Sequence, residues 1–90
     1  MNFWEDIIRE KLTFEEANKL IKASVHYYTT RPCWSGVHFY SKQGQYCILL
    51  RDGSVMIDAF DRAWSKDAND WLIVTLSDKA VNILEANNLI

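Results

Sequence analysis

The sequence predicts an α+β domain: an N-terminal helix, an antiparallel sheet of about four strands and a C-terminal helix. Three observations predict it. Thr13 opens a stretch with helical spacing of apolar residues. Residues 37–60 alternate on a period of two around an Asp52-Gly53 turn. Ser77 precedes a second helical stripe. The 90 residues form one domain, 1–90, whose own core can be only marginal.

In residues 1–12, Phe3, Trp4, Ile7, Ile8 and Leu12 are spaced as in a short amphipathic helix. Thr13 then reads as an N-cap, with Glu16 three residues on completing a capping box and Leu12 and Ala17 forming the staple around it. The helix that follows runs from Phe14 to about Val25. It buries Phe14, Ala17, Leu20, Ile21 and Ser24, while Glu15, Glu16, Lys19 and Lys22 face water. Residues 26–30 are β-prone and make a short strand or extended connection. Val37 to Ser41 is a strand, and 42–44 a turn. Gln45 to Arg51 is a strand with Tyr46, Ile48 and Leu50 on one face and Cys47, Leu49 and Arg51 on the other. Asp52-Gly53 is the strongest hairpin signal, since both central residues of a two-residue turn favour positive φ. Ser54 to Phe60 returns as the partner strand. Asp61 to Asn69 is an irregular loop around Trp64, and Trp71 to Leu76 is the last strand. Ser77 caps a helix from Asp78 to about Asn88, with Ala80, Val81, Ile83 and Leu84 as its apolar stripe. Helices on one face of a four-stranded meander would cover such a sheet.

Between the first helix and the strands lies Arg31-Pro-Cys-Trp-Ser-Gly36, which holds the chain's only proline. Pro32 fixes its own φ and biases Arg31 toward extended backbone. Gly36 permits close approaches that a Cβ would forbid. Trp34 and Arg31 are thus set on a bend, where a ring and a guanidinium can flank a planar or anionic ligand. The competing reading makes Trp34 a core anchor, and buried tryptophans are the commoner case in small domains.

The apolar fraction is 49% and the aromatic fraction 13%, with four tryptophans, more aromatic surface than so short a chain readily buries. Self-association or a binding pocket would use the excess. A net charge of −2 gives no basic field, so a nucleic-acid polymer is not an expected partner. No apolar run is long enough to span a membrane and no signal peptide is evident, so a cytoplasmic protein with no membrane partner is expected.

Little in the sequence carries reaction chemistry. Cys33 and Cys47 lack metal-ligand spacing and read as reduced thiols, so no metal and no cofactor is expected. Cys33 with His26 or His38 has no evident third group to orient a nucleophilic pair, so no catalytic residue is assigned. Asp58, Asp61, Asp67, Asp70 and Asp78 are scattered over turns, strand ends and a helix start, as solvated or capping groups would be. The aromatic set of Trp34, Phe39, Tyr40, Trp64 and Trp71 fits either base stacking or an aromatic core with an interface patch.

Three segments share an order with a known pattern: Leu12-Thr-Phe-Glu-Glu-Ala17 with Leu20-Ile-Lys22, then Arg31-Pro-Cys-Trp-Ser-Gly36, then Ala68-Asn-Asp-Trp71. The pattern is a T-F-x-x-A helix start, R-x-G-W-x-G after the helix and A-x-D-W near the end. Over residues 12–74 the chain thereby resembles the family of the second Thoeris anti-defence protein of phages, with residues 77–88 as a helical extension. Cys33 stands where that pattern has glycine. The resemblance implies a non-enzymatic sponge that binds a host immune messenger, a cyclic nucleotide or cyclised ADP-ribose. It also implies a homo-oligomer, dimer or tetramer, with pockets at subunit interfaces. Arg31 would meet phosphate, Trp34 would stack on a base from the bend that Gly36 permits, and Asp70 and Trp71 would complete the wall. Because the family includes anti-CRISPR members, direct binding to a host defence protein through an aromatic surface is the alternative.

Overall fold

The computed structural model describes residues 2–24 and 26–90. Its centre is a six-stranded antiparallel sheet, with strands Trp4–Leu12 (β1), Tyr28–Thr30 (β2), Val37–Tyr40 (β3), Tyr46–Leu49 (β4), Val55–Ile57 (β5) and Trp71–Leu76 (β6). Helix Phe14–Ala23 (α1) follows β1, helix Asp78–Ala86 (α2) follows β6, and one 3-10 turn spans Phe60–Arg62. The strand order is β1-β6-β2-β3-β4-β5. The alternation over 37–60 gives β3, β4 and β5 as a meander, but the sheet has six strands rather than about four. β2 pairs onto β3, β1 is itself a strand, and β6 crosses back to lie between β2 and β1.

The expected N-terminal helix is a strand. Residues 4–12 pair with β6, from Trp4↔Leu76 to Leu12↔Trp71, and the register shifts at three places along that ladder. Each bulge moves the side chains off strict alternation, so a strand presents apolar residues at irregular intervals that imitate helical spacing. Lys11, at φ 58°, takes up part of the irregularity. Pairing with a central strand overrides the local preference. β1 is also an edge, and Glu5, Asp6, Arg9, Glu10 and Lys11 are exposed along it, charges of the kind that discourage edge-to-edge aggregation.

The helices also lie on opposite faces of the sheet rather than one. Ala17 and Ile21 of α1 pack in a cluster with Tyr46, Ile48, Trp71 and Ile73. Ala80 and Leu84 of α2 pack with Phe39, Cys47, Leu49, Leu72 and Val74. These strand residues alternate in sequence, so the two sets must point to opposite sides. Six strands present two apolar faces, and one helix covers each. The expected split of β4, with Tyr46 and Ile48 opposite Cys47 and Leu49, is the one observed.

Local signals hold where they are side-chain specific. The Thr13 hydroxyl accepts from the Glu16 amide at 3.1 Å, and the Glu16 carboxylate accepts from the Thr13 amide at 3.0 Å. Helix α1 is assigned to Ala23; its expected end at Val25 falls outside the described residues. Ser77 accepts from the Ala80 amide at 3.3 Å at the start of α2. At the hairpin after β4 only Gly53 has positive φ, at 89°. The Gly53 amide donates to the Leu50 carbonyl and the Leu50 amide to the Ser54 carbonyl, so the loop is 51–53, one residue longer than the turn expected.

Candidate functional site

The bend after β2 is pinned from several sides. The Thr30 hydroxyl donates to the Gly36 carbonyl at 2.7 Å, and the Trp34 amide donates to the Arg31 carbonyl at 3.0 Å. From the N-terminal segment, the Trp4 indole N–H donates to the Trp34 carbonyl at 2.9 Å and the Phe3 amide to the Ser35 carbonyl at 2.9 Å. Gly36 sits so close to β4 that a Cβ there would overlap the Leu49 carbonyl oxygen. Glycine is required here for close approach.

This geometry opens a groove of about 810 Å³ between the bend, the 51–53 loop and the loop around Trp64. Trp34, Gly36, His38, Arg51, Trp64 and Ser65 are among the residues that line it. Its volume lies within the range of small-molecule sites. Trp34 is half-buried and lies over His38, with ring centroids 5.0 Å apart and planes 18° from parallel. Trp64, on the opposite lip, is 48% exposed and meets Trp34 nearly at right angles, 6.4 Å between centroids.

Arg31 does not line the groove. Its Nε and Nη2 donate to the two carboxylate oxygens of Asp70 at 2.7 and 3.0 Å, and its Nη1 donates to the Ser65 hydroxyl at 2.9 Å. Its guanidinium lies 5.7 Å from the Trp34 ring centroid, within cation–π range. Arg31 therefore ties the bend to the loop that carries Trp64. The bidentate hydrogen bonds from Arg31 hold the Asp70 carboxyl below its usual range and push the Arg31 pKa up. Ser65 sits at φ 59°, a left-handed conformation uncommon for a residue with a Cβ.

Trp71 has no exposed surface. Its ring stands edge-on to Trp34 at 5.2 Å and to Phe14 at 5.2 Å, and its indole N–H donates to the Ser65 carbonyl at 3.2 Å. It is the support beneath the site. Of the five residues singled out in the sequence, Trp34 and Gly36 face the groove, Arg31 and Asp70 brace it from behind, and Trp71 underlies it.

Three further groove residues lie outside those five, although Trp64 belongs to the aromatic set and His38 is weighed beside Cys33 in the sequence. Arg51 gives no local signal; it lines the groove because the hairpin loop brings it opposite the bend. Trp64 is visible only as an aromatic in a polar loop. His38 is the most unusual of the three. It is 1% exposed, its Nδ1 lies 2.6 Å from the Tyr46 hydroxyl, and its Nε2 has no hydrogen-bond partner. Burial drives its pKa down to about 3 and pushes the Tyr46 hydroxyl pKa up, so both are neutral at physiological pH. The strand register pairs His38 with Ile48 and so fixes it on the α1 face, an assignment alternation alone left open. Among the described residues, no group of three histidine, cysteine, aspartate or glutamate side chains could hold a metal ion. No described helix is long and apolar enough to cross a membrane.

No family model matches the chain, and neither does any curated protein or solved structure.

Proposed function

We propose that the groove captures a cyclic nucleotide or cyclic ADP-ribose-like immune messenger and withholds it without cleavage, as a phage sponge in the host cytoplasm. The observation that carries this reading is the pair of indoles, Trp34 and Trp64, facing one groove of about 810 Å³ with Arg51 on its rim. Indole faces hold bases with little regard to identity, and a guanidinium suits phosphate. Arg31 supports the capture through Trp34 and Ser65 rather than by touching the ligand in this arrangement. A thermal-shift screen with cyclic dinucleotides, cyclic trinucleotides and cyclised ADP-ribose isomers tests the reading. A member held at about 100 times its dissociation constant should stabilise the fold by about 2.7 kcal/mol.

We further propose a homo-oligomer. Ile7 and Ile8 are 48% and 46% exposed on the edge strand β1, apolar surface that a second copy would cover. A monomer mass by light scattering at micromolar concentration would rule this out. A second reading, direct inhibition of a host defence protein, draws on Ile57, Phe60 and Trp64, which are 51%, 42% and 48% exposed. Co-purification of a defence protein, lost on Phe60→Lys, would favour it.

A further inference from the structure

We propose that His38 is a buried hydrogen-bond donor that reads an acceptor atom on the edge of a planar heteroaromatic ligand, with Trp64 as the movable ring covering it. The inference rests on the nucleotide reading of the groove and adds to it a specific recognition group.

The tautomer follows from the neighbours. Among the described residues, the only hydrogen-bond partner of the Tyr46 hydroxyl is His38 Nδ1. A buried hydroxyl places its proton on an available acceptor, so Tyr46 donates and Nδ1 accepts. The imidazole proton is then on Nε2, and that N–H, in a groove-lining residue, is the one left without a partner. A buried unpaired donor is costly, and a ligand acceptor would satisfy it.

The surrounding rings indicate how a ligand reaches it. Four aromatic residues pack on the imidazole: Trp34, Tyr46, Trp64 and Trp71. Tyr46 and Trp71 belong to the core, and Trp34 is fixed by the bend. Trp64 is the exposed member, 6.4 Å from the imidazole and 72° off its plane. It is therefore the ring that can leave. An acceptor in line with Nε2–H lies in the imidazole plane, and a ring coplanar with the imidazole is near-parallel to Trp34. The hydrogen bond from His38 thus sets the ligand ring parallel to the Trp34 indole, on the side that the imidazole occupies. That pose suits a purine or pyrimidine base, which has a flat face and acceptor atoms on its edge.

The test compares His38→Asn with His38→Gln. An asparagine amide takes the place of Nδ1 and keeps an acceptor for Tyr46, while a glutamine amide reaches the place of Nε2 and keeps a donor there. Affinities are measured by calorimetry for cyclic di-AMP, cyclic di-GMP, cyclic tri-AMP and cyclic ADP-ribose on folded protein. For a nucleotide that the wild type binds, His38→Asn is expected to weaken binding roughly tenfold to a hundredfold, with His38→Gln restoring most of it. Long-range proton–nitrogen spectra of the wild type serve if a variant fails to fold: that nucleotide should shift the Nε2 resonance while Nδ1 stays bonded to Tyr46. Undiminished binding by His38→Asn, or an unmoved Nε2 resonance in the complex, overturns the role of His38 and leaves the nucleotide reading standing. Failure of the wild type to bind any of the four overturns both.

Discussion

His38 makes stability depend on pH in a way that the structure quantifies. The unfolded chain takes up a proton at the ordinary histidine value of 6.5, whereas the folded chain resists it until about pH 3, because burial penalises the imidazolium. Between these values the unfolded state binds more protons, so stability is complete above pH 6.5 and falls as the solution is acidified. Each pH unit is worth about 1.4 kcal/mol, and integrating from pH 7.5 to 5 gives a loss of about 2 kcal/mol. That is a large share of the roughly 5–15 kcal/mol typical of a folded domain. The window stops at pH 5 because Glu16, Asp52 and Asp70 all have depressed values, and their contributions are lost only at lower pH. Urea denaturation at pH 7.5, 6.5, 5.5 and 5.0 measures the slope, and His38→Gln should remove most of it. A wild-type stability that is flat across this range would refute the burial of a neutral imidazole.

Other consequences are equally direct. Gly36→Ala should destabilise by about 1–3 kcal/mol in urea, because its Cβ would meet a backbone carbonyl that cannot rotate away. Thr13→Ala removes the cap at the start of α1 and should lower stability by about 1 kcal/mol in the same assay. Trp71→Ala, which empties a fully buried site, should cost about 3–5 kcal/mol. Trp34→Ala should cost less stability than Trp71→Ala, since its ring is only half-buried, yet weaken nucleotide binding by roughly 1–3 kcal/mol. Calorimetric titration of the refolded variants separates the two tryptophans.

The sequence is most readable where a side chain acts on its own neighbours. The Thr13–Glu16 box and the Ser77 cap are contacts three residues apart, and β4 and the last strand from Trp71 to Leu76 are legible from their own apolar and β-prone residues. It is least readable where distant pairing decides. β1 is a strand because β6 lies beside it, nearly seventy residues away, and its three irregularities disguise the period. The same applies to the site. The bend is visible in Pro32 and Gly36, but its anchoring by Phe3 and Trp4 depends on β1. Arg31 and Asp70 stand out as charges, yet only the fold shows them bound to each other. Arg51 reaches the groove through the hairpin loop, and His38 acquires its meaning from a hydroxyl on the next strand.

Calorimetric titration with the same nucleotide panel, followed by analysis of the ligand released from heat-denatured protein, tests capture without cleavage most directly. Stoichiometric withholding of a messenger requires nanomolar affinity, on the order of −11 to −12 kcal/mol. The predicted result is saturable binding of at least one cyclic nucleotide or cyclised ADP-ribose with such affinity, and its recovery unchanged. Absence of binding across the panel, or recovery of a linear product, would contradict the sponge.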